Sequence, residues 1–220
     1  MRNIFPFDAA IFDLDGTLLD TETLYLRFWL EAAHRMGYPM KEEHALAIRA
    51  THASVAEPLL KELVCPEFDY HGVRALRRQI MEEYVDVHGV DAKPHMQDVL
   101  AKIKARGLRI GLATATPEPR ARKYLRMVNA EQYFDAVTCA DMVERGKPAP
   151  DIYLLACART GVSPSEALAV EDAPSGVLSA HAAGMRTVLI PDRDMPGTEI
   201  TALCYAVVPD LTAVLSLIGG

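Results

Sequence analysis

The stretch AAIFDLDGTLLDTE, residues 9–22, sets four apolar residues against two aspartates one residue apart, followed by glycine and threonine. Ala9 to Phe12 read as a short buried strand, and Gly16 signals the turn that ends it. Asp13 and Asp15 therefore stand at the carboxyl end of a strand, two residues apart on an extended backbone, so both side chains face one side. Like charges that close repel unless a positive group or a proton intervenes. The pair calls for a cation.

Working outward, residues 21–88 are helical in pattern throughout. One helix runs from Thr21 towards Gly37, Ser54 to Glu57 has the spacing of a capping box, and Val73, Leu76, Ile80, Tyr84 and Val87 recur at steps of three and four. After Gly89 short apolar strands alternate with helices: helix to Gly107, strand 108–114, helix 118–128, strand 135–139, helix 151–160, strand 167–170, helix 175–183, strands 186–190 and 206–208. Helices between apolar strands imply right-handed crossovers and a mostly parallel sheet covered on both faces. The predicted fold is α/β, a doubly wound, mostly parallel Rossmann-like core (1–20 and 89–220) interrupted after its first strand by a helical insertion (21–88).

Composition narrows the function classes. The 220 residues suffice for one full core, and half of them are apolar without any run of about 18 that could span a bilayer. Residues 1–13 contain no continuous apolar segment of the secretory kind, so a cytoplasmic location is expected. Cys65, Cys139, Cys157 and Cys204 are scattered, which argues against a zinc site or a disulfide framework. A net charge of −7 argues against nucleic acid as a partner, and the basic run RALRRQ (74–79) is expected on the exposed face of a helix.

In an open parallel sheet, ligands bind beyond the carboxyl ends of the strands. The first strand ends in Asp13-Leu14-Asp15-Gly16-Thr17, the second in Thr114-Ala115-Thr116, and the strand 167–170 in Glu171-Asp172, while Lys147 opens helix 151–160 within KPAPD. Taken singly, each has a plain structural explanation: a surface turn for the aspartates, a strand-ending threonine, a solvated lysine, an acid pair at a helix start. Taken together, in one order along one rim, they suit phosphoryl transfer. A carboxylate can attack phosphorus and form an aspartyl-phosphate. Attacker and phosphoryl group are both anionic, so a hard cation with oxygen ligands, Mg²⁺, must bridge them. Lys147 and the hydroxyl of Thr114, with nearby N–H groups, suit phosphate oxygens.

DLDGT after an apolar strand, the threonine of LATAT, the lysine of KPAPDIY and the acidic pair of VEDAPSGV match in order the four motifs of the haloacid dehalogenase-like superfamily, and the chain resembles it over essentially its whole length. The helical insertion looks like the cap of the subgroup containing phosphoglycolate phosphatases and β-phosphoglucomutases. The resemblance implies Asp13 as nucleophile and Asp15 as general acid/base. It also implies Thr114, Ala115 and Lys147 around the phosphate, and Asp13, the backbone carbonyl of Asp15 and Asp172 on Mg²⁺, with Glu171 close by.

The activity expected is that of a Mg²⁺-dependent phosphatase on a small sugar or sugar-acid phosphate, by a monomer with no membrane or nucleic-acid partner. The mutase is the alternative, disfavoured because the mutases carry Ser-Lys-Asn after the threonine motif, where this chain has Thr116-Pro117-Glu118, and Glu118 would repel a second phosphate unless it faced solvent. A phospho-accepting receiver module, with its acceptor aspartate after a middle strand and no lid, fits less well. His52, His95, Arg49 and Arg120 are further candidates for contacts to the substrate's other groups.

Overall fold

The computed structural model describes residues 6–49, 51, 53–192 and 195–218, and the chain divides into two compact units, Met1–Asp20 with Asp91–Gly220, and Thr21–Val90. Strand β1 (Ala9–Phe12) leads into the helical unit, which holds α1 (Thr21–Arg35), α2 (Glu42–Ala47), α3 (Ala53–Leu63) and α4 (Tyr70–His88). The remainder is α5 (Met96–Ala105), β2 (Arg109–Thr114), α6 (Glu118–Met127), β3 (Ala136–Cys139), α7 (Asp151–Thr160), β4 (Ala167–Glu171), α8 (Pro174–Ala182), β5 (Arg186–Leu189), α9 (Thr198–Thr201), β6 (Ala206–Val207) and α10 (Leu211–Leu217).

All pairings between the six strands are parallel, in the order β3-β2-β1-β4-β5-β6. Beginning with β1 in the centre explains why AAIF is apolar at every position rather than alternating: strands covered on both faces bury every side chain, and all four residues are buried. The chain winds from β1 outward through β2 and β3, then returns to the other side of β1 with β4. The strand order thus reverses between β1 and β4, where an open parallel sheet leaves a crevice at the carboxyl ends. Phe12 pairs with Leu112 on one side and Val170 on the other, so Asp13, Thr114 and Glu171 all lie within two residues of the same level. Asp13 N–H donates to the carbonyl of Val170 at 3.0 Å, carrying the ladder one step past the strand.

The helical unit departs from the sequence pattern in three places. Ser54 lies inside α3 rather than in front of it. The buried stripe of α4 is Val73, Arg77, Ile80, Met81 and Val85, while Val87 in the last turn is 77% exposed. Arg77, expected in solvent with the rest of RALRRQ, is buried, its guanidinium 4.7 Å from the centre of the Tyr25 ring and 5.2 Å from that of Trp29. Two aromatic faces offset the loss of water around a delocalised cation, which the charge pattern alone does not reveal. Helices α2, α9 and α10 are shorter than the periodicity could resolve. Among the described residues no helix is long and apolar enough to cross a membrane.

Candidate active site

The turn after β1 is built by its own backbone. Leu18 and Leu19 N–H both donate to the carbonyl of Leu14 at 3.0 Å, and Gly16 N–H to that of Leu19 at 2.9 Å. Gly16 sits at φ +88°, in the left-handed region. A side chain is barred there by space as well, because a Cβ on Gly16 would lie 2.2 Å from Oδ2 of Asp172. Thr17, next along, donates its hydroxyl to Oδ1 of Asp172 at 3.2 Å. The glycine and threonine of DLDGT thus make room for, and hold, an acid 155 positions away in sequence.

Asp13, Glu171 and Asp172 are buried and offer carboxylate oxygens within 4.8 Å of one another. Lys147 enters this group with Nζ 2.5 Å from Asp13 Oδ1 and 2.6 Å from Glu171 Oε1. Its loop, which includes the cis Lys147–Pro148 peptide, is tied to α8 by the hydroxyl of Ser179, which donates to the carbonyl of Ala149 at 2.6 Å. Tyr153, fully buried on α7, donates its hydroxyl to Glu171 Oε1 at 2.5 Å and places its ring 5.1 Å from Lys147 Nζ. Gly176 leaves space for the Glu171 carboxylate: a Cβ there would fall 1.9 Å from its Cδ.

One lysine does not balance three buried acids. Burial pushes the Asp13 carboxyl up to about 8, with Glu171 and Asp15 adding to the rise and Lys147 opposing it. The carboxylates of Asp13 and Glu171 in turn outweigh burial at Lys147 and hold its ammonium charged above the usual lysine range. Burial, reinforced by the neighbouring acids, likewise raises Tyr153 well above its ordinary value, so its phenol stays a donor to Glu171. A buried set of hard oxygen donors with surplus negative charge suits a divalent cation of the Mg²⁺ class. The carboxyl of Asp15 is not part of this three-acid group. Its Oδ2 accepts from the hydroxyl of Thr116 at 2.6 Å, and its Oδ1 is buried without a hydrogen-bond partner among the described residues.

At the end of β2, Thr114 is fully buried and its hydroxyl accepts from Thr116 N–H at 3.0 Å, while Ala115 between them is exposed. The sequence singles out Thr114 but gives Thr116, Thr17 and Tyr153 no separate signal, because their carboxylate contacts run across the fold. The only hint of Thr116 in the sequence is the repeated hydroxyl of Thr-Ala-Thr at positions two apart.

The weaker candidates are dispersed. Arg49 pairs with Glu22 at 3.6 Å inside the helical unit. His95 precedes α5 at φ +63°, within electrostatic reach of Asp210. Arg120 is half-buried on α6, and His52 lies outside the described residues. Glu118, expected to repel a second phosphate, is bonded to Arg122 Nε at 2.8 Å, so its charge is compensated.

A family profile described as haloacid dehalogenase-like hydrolase matches residues 10–190. Among curated proteins, the chain is 32% identical over 183 residues to the phosphorylated carbohydrates phosphatase of Thermotoga maritima, covering 82% of this chain and 83% of that one. It is 31% identical over 182 residues to the fructose-1-phosphate phosphatase of Escherichia coli, covering 83% and 95%. Among solved structures, CbbY from Rhodobacter sphaeroides in complex with phosphate superposes with a TM-score of 0.75 at 25% identity, over 94% of this chain and 96% of that one.

Proposed function

The chain belongs to the haloacid dehalogenase-like hydrolase family, and we propose that it is a Mg²⁺-dependent phosphatase of small phosphorylated carbohydrates acting through an aspartyl-phosphate on Asp13. The observation that carries this reading is the placement of Asp13 against Lys147 in a buried three-acid group at the reversal point of the sheet. The names of its relatives as phosphatases of phosphorylated sugars support the choice of substrate class.

In this reading Oδ2 or Oδ1 of Asp13 attacks phosphorus and the ester oxygen leaves, taking a proton from Asp15. Asp15 then takes a proton from the water that releases phosphate. Lys147 offsets the repulsion between the attacking carboxylate and the phosphoryl oxygens, and Thr114 with the Ala115 backbone supplies donors to those oxygens. Asp13, Asp172, Glu171 and the backbone carbonyl of Asp15 would hold Mg²⁺. When bound, the ion neutralises charge on the phosphoryl group and lets Asp13 remain ionised beside it. The helical unit, 21–90, serves as the cap, in the cytoplasm and in a monomeric enzyme.

A second reading, a phosphomutase, is favoured by one observation: the Glu118–Arg122 bond removes the repulsion that spoke against a second phosphate near the end of β2. The phosphatase reading is tested by assaying phosphate release from a panel of sugar and sugar-acid phosphates. Release with Mg²⁺, its loss on chelation and its absence in Asp13→Asn are expected. Undiminished release by Asp13→Asn or after exhaustive chelation would overturn it.

A further inference from the structure

Each acid of the site has a polar partner: Asp13 and Glu171 share Lys147, Glu171 also has Tyr153, and Asp172 has Thr17. For Asp15 the partner is Thr116, whose hydroxyl reaches Oδ2 at 2.6 Å across 101 positions of sequence. This contact is built in. Thr116 is 3% exposed, and its own N–H donates to the Thr114 hydroxyl, which curls the chain as it leaves β2 and fixes where the Thr116 side chain starts. The other oxygen of Asp15 is buried with no hydrogen-bond partner among the described residues, so the bond from Thr116 is what defines the rotation of the carboxyl group there.

We propose that Thr116 is a positioning residue for the proton-transfer step: its hydroxyl sets the orientation of the Asp15 carboxyl relative to the leaving group. The inference rests on the phosphatase reading above and deepens it by giving the acid/base its own support. A proton donor works only when held to within a fraction of an ångström of the ester oxygen, and a positioned general acid contributes about 10²–10⁴-fold. Without the Thr116 hydroxyl the Asp15 carboxyl would have one fewer anchor and a second unsatisfied buried oxygen. The nucleophile and the lysine hold each other, and Thr17, Lys147 and Tyr153 hold the other acids, so attack on phosphorus is left intact.

That division gives the role a signature that general damage to the site lacks. An alkyl phosphate, such as a sugar phosphate, has a leaving oxygen that must be protonated as it departs. An aryl phosphate such as p-nitrophenyl phosphate loses a stable phenolate and needs no acid. The parameter to compare is kcat/KM, which reports steps up to the first irreversible one, transfer of the phosphoryl group, and is blind to the later water attack.

Thr116→Val is nearly isosteric and lacks the hydroxyl. It is expected to lower kcat/KM on the sugar phosphate by about 10–100-fold and on p-nitrophenyl phosphate by less than about 3-fold. Thr116→Ala, which adds no bulk, gives the same split if the valine variant fails to fold, and Thr116→Ser restores both substrates to near wild-type rates. In an Asp15→Asn background, Thr116→Val has no further effect on the sugar phosphate. Equal losses on both substrates, or none on the sugar phosphate, would overturn the inference while leaving the phosphatase reading in place. A wild-type protein that releases phosphate from neither ester would overturn that reading and this inference together.

Discussion

The ammonium of Lys147 lies 2.5 Å from Oδ1 of Asp13, although the two residues are 134 positions apart and both side chains are more than nine-tenths buried. A lysine placed there sets an ammonium against two carboxylates of a buried acid group, as the proposed attack on a phosphoryl anion requires.

Removing that cation leaves the buried Glu171 carboxylate, beside Asp13, without its ion-pair partner. Truncating one partner of a buried ion pair costs about 3–5 kcal/mol. Lys147→Met is therefore expected to lower the melting temperature of the metal-free protein by several degrees, to regain part of the loss when Mg²⁺ is added, and to lack phosphate release. A melting temperature unchanged in EDTA would show that Lys147 is not paired as described. Differential scanning fluorimetry with and without Mg²⁺ makes the comparison.

The raised affinity of Asp13 for a proton sets a pH dependence of stability. Below the ordinary carboxylate value both folded and unfolded states hold the proton and the group contributes nothing. Between there and about 8, the unfolded chain has ionised and the folded one has not, so the unfolded state gains and stability falls as pH rises. Asn cannot ionise, and Lys147 retains Glu171 as a partner. Asp13→Asn in EDTA should consequently gain in melting temperature over the wild type as pH is raised from about 5 to about 8. A difference independent of pH would mean that Asp13 ionises as freely in the fold as in water.

Gly176→Ala separates intrinsic preference from local space. In an exposed helix the change stabilises by about 1 kcal/mol. On α8 the new Cβ would meet the Glu171 carboxylate at 1.9–2.1 Å, so that carboxylate must leave Lys147 and Tyr153. The expected outcome is a folded protein with weakened Mg²⁺ binding by calorimetry and a loss of turnover of tenfold or more. Wild-type metal affinity would show that Glu171 is not held where Gly176 permits it.

The sheet was legible in the sequence because its strands are short, apolar and bounded by Gly, Pro and charged residues, which fixes β1 to β6 to within two residues at each end. Asp13, Lys147, Glu171 and Asp172 were legible as a set, because acids at two strand ends and a lysine in a neighbouring loop fall in one order along one rim, although each alone has an ordinary explanation. Thr116 and Tyr153 were not: a hydroxyl two residues past a strand and a tyrosine on an apolar helix have ordinary explanations, and only the packing of α7 and β2 against the site gives each its carboxylate. Arg77 escaped for the same reason, since its burial depends on Tyr25 and Trp29 reaching it from another helix. Local patterns carry strand ends and turns, while long-range side-chain contacts depend on the assembled fold.

The reading of Asp13 as a nucleophile whose phosphoryl group goes to water, rather than back to a sugar, is tested most directly by phosphorus NMR of the wild-type protein with Mg²⁺ and β-glucose 1-phosphate, run with and without the glucose bisphosphate. Hydrolysis predicts that the ester signal is replaced by inorganic phosphate, with unphosphorylated sugar as the second product and little glucose 6-phosphate even when the bisphosphate is present. Rapid interconversion of the 1- and 6-phosphates with negligible release of phosphate would contradict it and establish the mutase.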